Sequence, residues 1–248
     1  MPTTESNQAA ELARLLRTSG PAVVFTGAGM STESGLPDFR SAGGLWRNRR
    51  FEELASRESL AHSYDEFVAF YRWRIQMLSE HEPHAGHRVL ADWQRRGLVS
   101  AIVTQNVDGY HTSAGARDVL ELHGTLRLCR CETCHTEVAA TELLAPKGEA
   151  CACGGRRRPN VVLFGEMLPE AALSAAVDAS RRARLFIVLG SSLLVSPANM
   201  LPEMALDAGA PLVIVNRDPT PLGPRATLEI HGAIGEMLAA TDEILRAG

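Results

Sequence analysis

Five short runs of β-branched and large apolar residues govern what this chain can fold into: Ala22 to Thr26, Val99 to Thr104, Val119 to Leu122, Leu185 to Leu189 and Leu212 to Val215. Between them lie helical patterns such as Ala85 to Arg96 and Glu170 to Arg181. Strands and helices alternating in this way build an α/β fold, a parallel sheet covered on both faces. Ligands then belong at the carboxyl ends of the strands. Four runs end in small or polar groups: Thr26-Gly27-Ala28-Gly29, Thr104-Gln105-Asn106-Val107-Asp108, Gly190-Ser191-Ser192 and Asn216-Arg217-Asp218. Four such ends on one edge describe a pocket.

Two segments interrupt the alternation. Residues 39–80 read as helical, charged and aromatic, while 127–159 hold all five cysteines and the run GGRRRP. Both are assigned to a small module inserted into the sheet domain, which takes 1–38, 81–126 and 160–248. The cleft between the modules is the expected site.

Of the 248 residues, 45% are hydrophobic and 22% charged, with a net charge of −4, which describes a globular chain with no global basic field for nucleic acid or anionic membrane. Met1 to Ala10 lacks the basic and apolar regions of an export signal. The longest apolar stretch, Leu185 to Val195, is broken by Gly190, Ser191 and Ser192. A cytoplasmic protein without a membrane span is expected. Lys147 is the only lysine among the 25 Lys and Arg residues, so a P-loop GK[ST] is absent and a Schiff-base mechanism is poorly served. Any lysine in the chemistry belongs to the substrate.

The loop after the first run, FTGAGMSTESGLPDFR, begins as a dinucleotide fingerprint whose glycines at 27 and 29 let backbone approach a pyrophosphate. The third glycine is missing. Met30, Ser31 and Thr32 stand in its place, and a polar segment ending in Pro37, Asp38, Phe39 and Arg40 replaces an ordinary helix.

Cys131 and Cys134 form a CxxC, and Cys151 and Cys153 a CxC followed by two glycines. Four thiolates complete a tetrahedral zinc shell with no open position, so the metal is expected to be structural. Cys129 offers an alternative register to Cys131, and His135 an alternative ligand to Cys153. His84 and His87, in PHAGH, lack a third ligand and read as a helix start. The arginines of the cysteine module come without interleaved aromatics and read as a solvated face.

Taken in order, GAGMSTESGLPDFR, TQNVD, ELHG, the paired cysteines, RPNVVLFGE, LGSSLLVSP and VIVN resemble the sirtuin family of NAD-dependent protein-lysine deacylases. The resemblance implies a Rossmann-like domain with a small zinc module. It implies that Gly27 to Trp46 is a cofactor loop that orders around NAD in order to break it. Gly27, Ala28, Gly29 and Thr32 then lie on the NAD side, and Asp38, Phe39 and Arg40 reach toward the nicotinamide ribose. Asn106 and Asp108 place the nicotinamide, Gln105 the ribose, and Gly190, Ser191, Ser192, Asn216, Arg217 and Asp218 the adenosine half.

By the same resemblance the acyl oxygen of a substrate lysine attacks the ribose, and His123 acts as the base that activates a ribose hydroxyl, imidazole titrating near neutrality. The implied products are free lysine, nicotinamide and 2′-O-acyl-ADP-ribose. VVLFGE is similar to the strand on which sirtuins add the peptide backbone, with Val162, Phe164 and Gly165 near the acyl-lysine. Tyr71 and Arg74, in FYRWR, and Ala55 are similar to the residues that mark sirtuins favouring acidic acyl chains. On a helix, i and i+3 share a face, and the phenol and guanidinium would pair with a succinyl or malonyl carboxylate.

Acyl-lysine proteins are the expected partners, of a monomer with no sequence-specific nucleic acid. Two rivals remain: NAD hydrolysis or ADP-ribosyl transfer in the same pocket, and a non-catalytic zinc-containing module that holds a nucleotide. A dehydrogenase fits least, since the acidic ribose-binding residue expected about 20 positions past the glycine loop has no clear counterpart.

Overall fold

The computed structural model describes residues 4–247; the amino-terminal reading for Met1 to Thr3 and the last position of the sheet domain lie outside the described residues. The first half runs α1 (Thr4–Ser19), β1 (Ala22–Thr26), α2 (Arg49–Leu54), α3 (Arg57–His62), α4 (Tyr64–Ser79), α5 (Ala85–Arg95), β2 (Val99–Thr104), α6 (Tyr110–Ser113) and β3 (Leu120–Glu121). Then come β4 (Gly124–Cys131), β5 (Glu137–Ala139), β6 (Arg157–Val161), α7 (Glu170–Arg182), β7 (Phe186–Leu189), α8 (Met200–Asp207), β8 (Leu212–Val215), β9 (Leu228–Ile230) and α9 (Ile234–Ala247).

Six strands form one parallel sheet in the order β3-β2-β1-β7-β8-β9. The chain builds outward from β1 to β3, then returns to the middle and builds the other way from β7. The direction reverses between β1 and β7, and the ends of those two strands open a crevice. All five residues of β1 and all four of β7 and β8 are buried, as a sheet covered on both faces requires.

One face packs on α1, α5 and α9 through Leu12, Leu16, Leu90, Trp93 and Leu238. The other carries Val23, Phe25, Phe186 and Val188 against Ala176 of α7 and Leu201 of α8. The edge strand expected at Val119 to Leu122 shortens to Leu120–Glu121, because Asp118 takes a left-handed backbone (φ 50°) just before it. No helix among the described residues is long and apolar enough to cross a membrane.

β4, β5 and β6 make a separate antiparallel sheet in the order β5-β4-β6. Against it lies α4, whose Phe67, Phe70, Tyr71 and Ile75 recur at helical spacing and meet Leu126, Cys129, Leu143 and Val161. This second core is the other wall of the crevice.

Candidate active site

The two strand ends at the reversal point cross at glycines. Gly27 N donates to Leu189 O (3.0 Å) and Gly29 N to Gly190 O (2.9 Å). A Cβ on Gly27 would stand 2.7 Å from Gly190 O, and one on Gly29 2.7 Å from Gly190 Cα, closer than packed atoms come. The sequence suggested that these glycines clear space for a pyrophosphate. They also let two loops pass backbone to backbone, and both line the cleft. After the crossing the chain makes a 3₁₀ turn, Ala28–Ser34, which sends Met30 into the core and Ser31 inward.

The cleft has a volume of about 1270 Å³ and runs between the two sheets, across the size range of small-molecule sites and beyond it. On the loop side it is lined by Gly27, Ala28, Gly29, Thr32, Asp38, Phe39, Arg40 and Trp46, and on its floor by Gln105, Asn106 and His123. Gly190, Ser191, Ser192, Asn216, Arg217 and Asp218 line one end, and Ala55, Tyr71, Arg74, Val162, Phe164 and Gly165 the other. Of the expected non-metal site residues, Asp108 alone lies off this surface. It is buried beneath it, beside a small adjoining cavity.

His123 follows β3, where its Nδ1 lies 2.9 Å from Gln105 O. A carbonyl only accepts, so Nδ1 carries the proton and Nε2 of the neutral ring is left free to take one. Burial holds this imidazole below its ordinary range; the Gln105 carbonyl opposes the shift and the Arg40 charge adds to it. A ring kept neutral at physiological pH is suited to serve as a base.

Asn106 donates through Nδ2 to Gly27 O (3.0 Å) and Ser31 Oγ (3.2 Å), and its backbone N to Thr104 Oγ1 (3.0 Å). Ser31 Oγ in turn donates to Asp108 Oδ2 (2.7 Å), and Tyr110 N donates to Asp108 Oδ1 (2.9 Å). Asp108 therefore acts on the cleft through Ser31 and Asn106, by fixing the amide. Burial raises its pKa, against the pull of those two hydrogen bonds and of Arg74. Ser31 is a member of this network that sequence reasoning missed. Gln105 Nε2 donates to Ser191 Oγ (2.8 Å), tying the floor to the β7 loop.

At the other end, Ala55 and Tyr71 are 7% and 2% exposed, and burial pushes the Tyr71 phenol up to about 12. Arg74 is half-buried, its Nε shielded from solvent and without a partner. Its guanidinium lies 5.4 Å from the Phe39 ring centre, Phe39 stacks on Trp46 at 4.8 Å, and Trp46 meets Phe164 at 6.0 Å. The segment expected to be a strand through Glu166 pairs in the sheet only to Val161. Val162 N bonds His123 O, and Phe164 makes one isolated parallel bridge with Ser56, its N donating to Ala55 O and its O accepting from Arg57 N.

The Sγ atoms of Cys131, Cys134, Cys151 and Cys153 lie within 4.8 Å of one another, with the 131–153 and 134–151 pairs at 3.6 and 3.7 Å. Zinc–sulfur bonds of about 2.3 Å in a tetrahedron place sulfurs about 3.8 Å apart, so the donor set fits zinc. Cys129 points into the small core, where burial pushes its thiol up to about 11. Neither it nor His135 belongs to the cluster. His84 caps α5, accepting from Gly86 N (3.1 Å), as its place in the sequence suggested.

The Sir2 family model matches residues 27–197, more than half of the chain. This chain belongs to the Sir2 family. Its Sir2 relatives include "NAD-dependent protein deacetylase 1" of Geobacillus kaustophilus, 53% identical over 93% of this chain and 96% of that protein. "NAD-dependent protein deacylase 1" of Archaeoglobus fulgidus is 39% identical over 90% and 91%. Among solved structures, a Sir2 complex described as "Sir2-p53 peptide-NAD+" superposes with a TM-score of 0.87 at 36% identity, covering 96% of this chain and 98% of the other.

Proposed function

We propose that this chain is an NAD-dependent protein-lysine deacylase whose site is the cleft between the two sheets. The observation that carries this reading is the tethered neutral imidazole of His123, on the same cleft as the glycine crossing and the Phe164 segment. The cleft fits a dinucleotide in position and character. It opens at the reversal point of the parallel sheet, and two residues at its ends, Arg74 and Thr220, hold buried polar atoms without protein partners. Residues 39–80 and 127–159 are taken as the small lobe, and the protein as a cytoplasmic monomer.

When bound, NAD supplies an electrophilic ribose carbon with nicotinamide as the leaving group. In this proposal Asn106, fixed by Gly27, Ser31 and Asp108, orients the nicotinamide amide, and Gln105 the ribose. Gly190 to Ser192 and Asn216 to Asp218 hold the adenosine half. Phe39 and Trp46 close over the site and exclude water, which strengthens every polar interaction inside. His123 Nε2 takes a proton from a ribose hydroxyl, with Nδ1 anchored by Gln105 O. The cysteine cluster holds zinc as a strut for the small sheet, away from the chemistry.

Tyr71, Arg74 and Ala55 suit an acyl chain that ends in a carboxylate. The unpartnered Arg74 Nε supports this, because a buried guanidinium edge without an acceptor is costly until one arrives. The test is a set of acetyl-, propionyl- and succinyl-lysine peptides incubated with NAD and scored by mass for O-acyl-ADP-ribose. Product with peptide and none with His123→Ala supports the reading. Nicotinamide release that ignores the peptide would replace it with NAD hydrolysis.

A further inference from the structure

Helix α4 belongs to two places at once. Its Tyr71 and Arg74 line the acyl end of the cleft. The apolar packing beneath it, through Phe67, Phe70 and Ile75, is non-directional and does not by itself fix where the helix stands along its axis. Directional contacts do that, and Tyr64 and Arg72 make them to the cysteine module.

Both side chains reach the stem of the hairpin that presents Cys151 and Cys153. An antiparallel bridge between Ala150 and Arg156 closes that stem, and below it Arg157 N donates to Glu149 O (2.8 Å). Tyr64 Oη donates to Arg157 O (2.7 Å), and the Arg156 guanidinium lies over the Tyr64 ring at 4.4 Å. Arg72 Nη2 pairs with the Glu149 carboxylate, and Arg72 Nε donates to Leu143 O (2.7 Å) in the turn before the hairpin. The tip of the hairpin, CACGG, brings no large apolar side chain of its own. Metal held by the thiolates is therefore what would keep its shape.

We infer that Tyr64 and Arg72 are positioning residues for the acyl pocket, coupling it to the metal-holding hairpin. The inference rests on the deacylase reading and deepens it. A helix moves as a unit, with a rise of about 1.5 Å per residue. The height at which Arg72 is held thus sets that of Tyr71 beside it and of Arg74 two positions on. Coupling between two sites is reciprocal. If the hairpin orders the acyl pocket, acyl-lysine bound in that pocket tightens the hold on zinc.

The experiment measures the equilibrium affinity of the whole protein for zinc by competition with a chromogenic chelator. It is run with and without saturating acetyl- or succinyl-lysine peptide, whose binding is followed by anisotropy. Zinc is expected to bind about fivefold more tightly with at least one of the peptides bound. The double variant Tyr64→Phe/Arg72→Met, at two part-exposed positions, is expected to bring that factor to about one. Tyr64→Phe alone, smaller by a single oxygen, is expected to reduce it. In the double variant the peptide Kd is expected to rise about fivefold, with the KM for NAD unchanged. A zinc affinity indifferent to bound peptide overturns the inference, as does a factor that survives in the double variant. Equal losses for peptide and NAD overturn it too, because they mark a merely structural role. Nicotinamide release from the same peptides is followed in parallel. Turnover without coupling sinks only the positioning role, whereas peptides that neither bind nor turn over sink the deacylase reading and this inference with it.

Discussion

Lowering the pH from 7.5 to 5 is expected to cost this fold about 4 kcal/mol through two histidines behind the glycine loop. His87 is fully buried between His84 and His111, with ring centres at 4.5 and 5.0 Å, and neither of its ring nitrogens has a partner. Burial holds it down to about 2, helped by the charges of His111, His84 and Arg88. His111, whose Nε2 lies 2.9 Å from Thr26 Oγ1, is held by burial to about 4. Below about pH 6.5 the unfolded chain takes up a proton at each and the fold does not, so stability present above that pH is lost as the pH falls. From there to pH 5 each contributes about 1.5 units at 1.36 kcal/mol, or about 2 kcal/mol. The His111 loss continues to about pH 4 and the His87 loss to about pH 2.

Urea unfolding at pH 7.5 and pH 5 of the wild type and of His87→Leu reads the effect. The variant removes one of the two groups, so it is expected to lose about 2 kcal/mol less than the wild type between the two pH values. His123 and any metal bound by the thiolates also respond to acid, but equally in both proteins, and cancel in the difference. An equal pH dependence in wild type and variant would refute the assignment of acid sensitivity to this cluster.

Replacing Arg74 with Met is expected to lower kcat/KM for succinyl-lysine peptide about 30-fold, the worth of one charge-assisted hydrogen bond near 2 kcal/mol, with little change for acetyl-lysine. Parallel kinetics on the two peptides check it, and equal losses would remove Arg74 from acyl selection. Gly29→Ala drives a methyl into the Gly190 backbone, where no side chain can swing aside, and is expected to destabilise by about 3 kcal/mol in urea titration. Cys151→Ser is expected to abolish zinc content by plasma emission spectrometry and to loosen the three-stranded sheet in amide exchange, with the six-stranded sheet still protected. Full zinc occupancy in that variant would exclude Cys151 as a ligand.

What could be read from the residues follows from where each signal is stored. β1, β2 and β8 matched the apolar runs residue for residue; in β1 and β8 every residue is buried, and a strand covered on both faces writes its burial directly into side-chain type. β4 and β6 carry no such mark. Their buried positions include Cys129, Cys131 and Arg158, which sequence assigns to metal or solvent, and Arg158 is inside because Glu166 and Val161 O complete its hydrogen bonds. Nearly every expected site residue reached one cleft, because motifs at strand ends are gathered by the sheet whatever the loops do. Ser31 and the close packing of Gly27 and Gly29 on Gly190 were beyond reach for a common reason. A single polar residue has no period, and whether a glycine faces a ligand or another loop depends on Gly190, which the topology of the sheet brings beside it from the far half of the chain.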